Sequence, residues 1–147
     1  MVASTRKNKP NAIVHGTVEM DSHADTIVFG RNFVQMRATG RECSVSPYSD
    51  AYEAIHSVPI VTAATAWTSP TTSETYILVF HEGLWMGDTM DHSLVNPNQM
   101  RAYGVTVQDN PFSTSPLYLQ APDDDFVLPL QTKGTNVILE SRTPTDE

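Results

Sequence analysis

Two β-prone segments separated by a short turn are the strongest structural signal in this sequence. Residues 57–67 (SVPIVTAATAW) and 74–81 (ETYILVFH) are rich in β-branched and aromatic side chains, which favour extended strands. The six residues between them, TSPTTS, combine one proline with five hydroxyl side chains, a composition typical of a turn. Two strands joined by so short a turn form an antiparallel hairpin. The chain is therefore predicted to contain an antiparallel sheet.

The rest of the chain is predicted to be mostly β. Further strands are expected at residues 12–19, 27–29, 43–46 and 105–107, with a final hairpin at residues 126–130 and 135–139. One helix is predicted over residues 94–103. Asn96 is suited to cap it, Pro97 to its first turn, and Gly104 to the position after its end. The predicted class is all-β with one short helix in the second half.

Length and charge limit the kind of protein further. A chain of 147 residues favours one domain, which we place at residues 11–140 between flexible polar tails at 1–10 and 141–147. The basic segment 1–10 lacks the apolar core of a signal peptide, and no run of about 18 apolar residues occurs. We therefore expect an intracellular, cytoplasmic protein without a membrane partner. A net charge of −8 disfavours nucleic-acid binding, which needs basic surface.

The cysteine content excludes two kinds of stabilising cross-link. Cys43 is the only cysteine, so neither a disulfide within the chain nor a CxxC-type zinc site is possible. No basic residue in its immediate sequence is arranged to activate the thiol, and we expect Cys43 to be a small buried residue.

The densest group of reactive side chains is the segment Asp21-Ser22-His23-Ala24-Asp25-Thr26, which lies between two predicted strands. This segment resembles the active-site loop of retropepsins and their retrotransposon relatives, whose pattern is Asp-Ser/Thr-Gly-Ala-Asp/Ser/Thr. Residues 93–100 (SLVNPNQM) are similar to the Leu-Leu-Ser-Val-Ser-Gln-Leu stretch of copia-type retroelements, and residues 76–86 resemble the strand pair before the family's helix. The resemblance covers residues 12–112 and indicates a copia-type protease domain or a domesticated or degenerate relative.

The resemblance implies a fold and an activity. The fold would be a closed retropepsin-like β-barrel or sandwich, with a flap hairpin and one short helix. The activity would be that of an aspartic endopeptidase that processes its own polyprotein as a homodimer, in the cytoplasm or inside virus-like particles, without a cofactor or metal. Each subunit would supply one catalytic aspartate, Asp21. Two carboxylates held close share one proton, because both cannot ionise comfortably.

The resemblance also assigns roles to neighbouring residues. Ser22 matches the hydroxyl position that braces the two loops across the dimer axis. His23, Ala24, Asp25 and Thr26 complete the loop, with Asp25 as a structural carboxylate. The hairpin at residues 57–81 would be the flap that closes over the peptide, with its tip at Pro70, Thr71 and Thr72.

Three alternatives remain open for the same loop. Its aspartates are also typical turn residues that accept backbone N–H groups. His23 stands where the family has glycine, and a cationic imidazole would favour two ionised carboxylates, which removes the shared proton. This favours a catalytically inactive retropepsin-fold module for dimerisation or peptide binding. A metal-binding β domain is the third alternative, because Asp21, His23 and Asp25 would share one face if the segment were a strand.

Overall fold

The computed structural model describes residues 13–45 and 55–145, without the side chains of Val45, Ile55 and His56. The predicted tail at residues 1–10 lies outside this range. The described residues form eleven strands and one helix: β1 (His15–Met20), β2 (Val28–Gly30), β3 (Val34–Val45), β4 (Ile55–Thr68), β5 (Thr75–Gly87), β6 (Ser93–Val95), α1 (Pro97–Ala102), β7 (Thr106–Gln108), β8 (Tyr118–Gln120), β9 (Val127–Pro129), β10 (Gln131–Lys133) and β11 (Asn136–Arg142).

Most of the strands belong to one sheet. Eight strands pair in the order β10-β11-β1-β6-β2-β5-β4-β3, while β7, β8 and β9 form a second sheet. The pairs β1–β6 and β2–β5 are parallel, and the other pairs are antiparallel. β11 also pairs with β4, through Arg142 and Ala66. The all-β class with one short helix is therefore confirmed.

The hairpin predicted from residues 57–81 is the pair β4–β5. Its register is regular from Ala63–Phe80 to Thr68–Thr75, and the Ser69 amide closes the turn by donating to the Glu74 carbonyl oxygen at 2.8 Å. Residues 61–67 are all buried. Because neighbouring side chains of a strand point to opposite faces, this means that both faces of β4 are covered. The apolar run that predicts this strand is thus the centre of the core.

Aromatic side chains fill the core in two groups. Phe33 packs against Phe29 and Phe80, with ring centroids 4.9 and 5.6 Å apart. Phe126 packs against Trp67 and Tyr76, with centroids 6.1 and 4.5 Å apart. The second group joins the β4–β5 hairpin to the chain segment that enters β9, so it holds the small sheet against the main one.

A chain of buried polar side chains crosses the main sheet. The Gly30 amide donates to Ser93 Oγ at 2.7 Å, Ser93 donates to Asn32 Oδ1 at 2.7 Å, and Asn32 Nδ2 donates to Ser141 Oγ at 2.8 Å. Thr65 Oγ1 lies 2.7 Å from both Ser141 Oγ and the Asn32 carbonyl oxygen, and 3.0 Å from the Arg142 carbonyl oxygen. The Thr65 hydroxyl is the donor toward these acceptors, which share its one proton. The chain of hydrogen bonds thus ties β4, β6 and β11 to the segment after β2.

The structure corrects the predicted extent of β3. Only residues 43–46 were expected to be extended, whereas β3 spans twelve residues. Residues 36–44 are exposed and largely polar, so no apolar alternation marks them as a strand. Pairing with β4 makes this segment extended. Cys43 lies on it and is exposed, which corrects the expectation that Cys43 is buried.

The C-terminal half also differs from the prediction. The final hairpin exists but is β10–β11, and residues 127–129 pair with β8 instead. β8 itself lies in a segment where no strand is predicted. Ser141 and Arg142, assigned to a polar tail, complete β11, because Ser141 is buried in the hydrogen-bonded chain described above. The helix begins at Pro97, since Ser93–Val95 pairs with β1 as β6.

Candidate active site

Asp21 stands at the end of two adjacent parallel strands. β1 ends at Met20 and its neighbour β6 ends at Val95, with Met20 and Val95 paired in register. The Asp21 amide donates to the Val95 carbonyl oxygen at 2.9 Å. Asp21 and Asn96, the residues that follow the two strands, therefore leave the sheet at the same edge. The backbone of Asp21 is anchored, while its side chain is only half-buried.

The loop after Asp21 is a tight turn that is held by hydrogen bonds to the Asp21 carboxylate and carbonyl oxygens. Oδ1 of Asp21 accepts the His23 amide at 2.9 Å, and the Asp21 carbonyl oxygen accepts the Ala24 amide at 3.2 Å. This is the local arrangement that turn aspartates commonly make. Oδ2 makes no hydrogen bond with any described residue. One carboxylate oxygen of Asp21 is thus fixed by the loop, and the other has no hydrogen-bond partner among the described residues.

The other predicted loop residues are close to Asp21 in the chain but differ in exposure. Ser22, His23 and Asp25 are exposed, whereas Ala24 and Thr26 are half-buried. Residues 22–26 form turns and bends, so alternate side chains do not share one face as they would in a strand. Within the described residues, no group of three or more His, Cys, Asp or Glu side chains is arranged to hold a metal ion. This geometry does not support the metal-binding alternative built on Asp21, His23 and Asp25.

Asn96 joins the loop to the helix, a role that sequence reasoning missed. Its Oδ1 accepts the amides of Asn98 at 2.8 Å and Gln99 at 3.3 Å, which caps α1 as predicted. Its Nδ2 donates to the Ala24 carbonyl oxygen at 2.7 Å and to that of Ser22 at 3.3 Å. The available signal was the residue type, because an asparagine whose Oδ1 caps a helix still has two N–H donors, whereas an ionised aspartate has none.

Replacing Asn96 by alanine is expected to loosen both the loop and the helix. Loss of the cap alone costs about 1 kcal/mol, and the two loop carbonyls lose their donor as well. Asn96→Asp separates the two roles, since a carboxylate keeps the acceptor and loses the donor. Hydrogen exchange at the His23 and Ala24 amides should quicken in both variants, while unfolding free energy should fall further in Asn96→Ala. Unchanged exchange in both variants would refute the role of Asn96 in holding the loop.

The turn at Pro70, Thr71 and Thr72 does not lie over this loop. Pro70 lines a cleft together with residues 15–17 and Arg142, and Arg142 Nη2 donates to Thr68 Oγ1 at 3.4 Å. Residues 15–17 are four to six positions before Asp21 on β1, which corresponds to about 13–20 Å at 3.3 Å per residue. Pairing of β4 with β11 carries the turn toward the first half of β1 within one chain. The flap assignment of Pro70, Thr71 and Thr72 stays a prediction.

The part of the chain that the structure describes contains no helix long and apolar enough to cross a membrane. Comparison of the chain with protein-family models, with curated proteins and with solved structures found no match.

Proposed function

We propose that the chain is an aspartic endopeptidase that acts as a homodimer, with Asp21 of each protomer as its catalytic residue. The observation that carries the proposal is the anchoring of Asp21. Its amide is bound to Val95 and one carboxylate oxygen is bound to the His23 amide, while Asn96 holds the rest of the loop. A carboxylate that must exchange protons with a reacting water needs such a fixed position. The order strand, Asp loop, second strand, capped helix also agrees with a retropepsin-like fold.

A closed retropepsin-like barrel is part of the proposal. β11 pairs with β1 along five residues and meets β4 at Arg142, so pairing can be followed around six strands back to its start. Closure of this kind leaves fewer open strand edges and gives the Asp21 loop a rigid base.

A dimer supports the chemistry because one chain supplies one such loop. The large clefts that the described residues form along β5 and beside His15 do not include Asp21. Asp25, the other carboxylate of the loop, has a structural role in this proposal, so Asp21 would gain its partner carboxylate from a second copy, related by a two-fold axis. The exposed Ser22 side chain would lie at that contact. The proposed substrate is an extended segment of the chain's own polyprotein, in an intracellular setting.

The proposed mechanism follows from the shared proton. The ionised Asp21 takes a proton from a water molecule, whose oxygen attacks the scissile carbonyl carbon. The protonated Asp21 of the second copy donates to the carbonyl oxygen and so stabilises the tetrahedral intermediate. Collapse of the intermediate breaks the C–N bond, and a carboxyl proton passes to the leaving amine. Every proton needed is supplied by the water and the two carboxyl groups.

The second candidate function is an inactive dimerisation or peptide-binding module, and His23 favours it. Its side chain is exposed one residue from Ser22 and two from Asp21, so a charge on the imidazole would lie beside the carboxylates of a dimer. A charge that favours two ionised carboxylates would remove the acid that the mechanism requires.

Peptide-library cleavage at pH 4–7 tests the proposal. We expect cleavage that pepstatin inhibits, with a rate per protomer that rises with protein concentration until the dimer is saturated. We also expect His23→Gly to cleave faster than the wild type, since the exposed imidazole no longer stands beside Asp21. His23→Ala is the control for added backbone freedom, because it removes the imidazole while keeping a Cβ. A folded, dimeric wild type and His23→Gly that both leave every peptide intact would overturn the proposal.

A further inference from the structure

An apolar cleft of about 620 Å³ runs along β5, on a part of the molecule that does not include Asp21. On one side it is lined by successive residues of the strand, Tyr76 to His81. On the other side it is lined by residues of the helix, the small sheet and their connections: Met100, Tyr103, Val105, Leu119, Phe126 and Leu128. Its volume lies in the range of roughly 300–1,000 Å³ that is typical of ligand sites.

The cleft lies beside the edge of β5 and is not confined to one face of the strand. Neighbouring side chains of a strand point to opposite faces, so six successive lining residues place the cleft beside the strand itself. β5 pairs with β2 only from Leu84 onward, whereas residues 75–80 pair with β4 alone. Among the described strands, none pairs with the second edge of residues 75–80. Alternate backbone N–H and C=O groups there face the cleft.

Within residues 76–80 this edge has no charged residue, no proline and no bulge, which are common means of protecting exposed strand edges. Residues 76–80 (YILVF) are all apolar or aromatic, and their register with β4 is regular. The edge strand β3 shows the contrast, since it carries Arg37, Arg41 and Glu42 and has three register shifts against β4. Charges and bulges are the normal protection against added strands. The open edge of β5 is therefore regular and apolar, and it lies in a cleft whose volume is typical of ligand sites.

From these observations we infer that the β5 cleft binds an extended apolar peptide segment of another polypeptide, which adds to the sheet as a strand beside residues 75–80. The backbone of the segment pairs with β5, and its side chains alternate between the half-buried face (Tyr76, Leu78, Phe80) and the exposed face (Ile77, Val79). Apolar side chains on the segment match the lining from the helix and the small sheet.

One side chain at the rim of the β5 cleft can form a hydrogen bond with such a segment. The hydroxyl of Tyr76 donates to Glu74 Oε2 at 3.3 Å, and desolvation together with the Glu74 carboxylate raises the pKa of Tyr76. The hydroxyl therefore stays neutral, and its oxygen is available as an acceptor at the start of the strand. This site is separate from the proposed catalytic loop and does not depend on catalysis.

The test uses a fluorescent seven-residue probe, acetyl-Lys-Val-Thr-Val-Thr-Val-Lys-amide, and a second version with N-methyl groups on alternate residues. Binding is followed by fluorescence anisotropy with the full chain carrying Asp21→Asn, so that cleavage does not consume the probe. We expect saturable one-to-one binding of the first probe and at least about tenfold weaker binding of the N-methyl probe, because N-methyl groups remove the backbone donors.

Two variants locate the site. Ile77 and Val79 are 53% and 42% exposed, so Ile77→Lys with Val79→Lys is compatible with folding and charges the edge. We expect this double variant to bind the probe at least about tenfold more weakly. Ile13→Lys is the matched control, because Ile13 is 46% exposed just before β1 and does not line the β5 cleft, and its binding should equal that of the parent chain. Thermal unfolding confirms that each variant is folded.

The inference is overturned by any of four results: no binding, equal binding of both probes, equal binding by the double variant, or equal loss in Ile13→Lys. Equal binding of both probes would indicate a site for apolar molecules without strand pairing. Self-association of the parent chain that the double variant abolishes, and with which the probe does not compete, would also overturn it. In that case a second copy of the chain occupies the cleft.

Discussion

Asp21→Asn is expected to lower peptide cleavage by at least about a thousandfold, within the range that proton-transferring groups contribute. The amide has the shape of the carboxylate and keeps an oxygen that accepts the His23 amide, so the loop stays folded. It cannot take a proton from water, nor share one with a second copy. Cleavage rate and unfolding midpoint are measured together, and only the rate should change. Asp91→Asn, at a carboxylate that is 88% exposed, is the control for loss of one surface charge.

Mixing the wild-type chain with Asp21→Asn tests whether both protomers must supply Asp21. Wild type and Asp21→Asn are mixed in equal amounts and allowed to exchange protomers freely. If the site needs Asp21 from both protomers, only dimers of two wild-type chains are active. Random pairing of two equal subunits makes these about a quarter of all dimers. Activity of one half would mean that each protomer works alone, and the dimeric mechanism would then be wrong. Residual activity of Asp21→Asn near the wild-type level would remove Asp21 from catalysis altogether.

Asn32→Leu is expected to destabilise the fold by roughly 2–6 kcal/mol. The side chain of Asn32 is fully buried and supplies an acceptor to Ser93 and a donor to Ser141. Leucine is similar in size but leaves both hydroxyls without that partner, and each unsatisfied buried group costs about 1–3 kcal/mol. This is a large share of the roughly 5–15 kcal/mol that stabilises a typical domain.

Urea unfolding of Asn32→Leu measures this loss. Asn136→Leu is the matched control, because Asn136 is exposed at the start of β11 and the same substitution there should change stability by no more than about 0.5 kcal/mol. An unchanged unfolding midpoint for Asn32→Leu would show that the buried hydrogen bonds contribute little beyond packing.

Local sequence signals were sufficient for several elements near the candidate site. The β-branched run before Asp21 predicts β1, and the proline and hydroxyl residues at 68–73 predict the β4–β5 turn. Asn96 and Pro97 predict where α1 begins, and Gly104, with a φ of +90°, agrees with the predicted stop. Each of these signals acts within a few residues of the chain, where side-chain type sets backbone preference directly.

Other features depend on which segments meet. The pairing of residues 127–129 with β8, and of Ser141 in β11 with Gly16 in β1, depends on which strands compete for each edge. The position of the 68–73 turn beside β1 depends on the same competition. β3 is extended because β4 offers it an edge, and not because its own polar residues favour a strand.

The sequence by itself determined the β class, the hairpin, the helix cap and a loop centred on Asp21, since these follow from local propensity and periodicity. Only the tertiary structure decided that the amide of Asn96 holds this loop, that Asn32 links distant strands, and that residues 75–80 keep an open edge. The physical reason is that a hydrogen bond between distant segments needs both partners in place. The residues on either side of one partner carry no information about where the other will be.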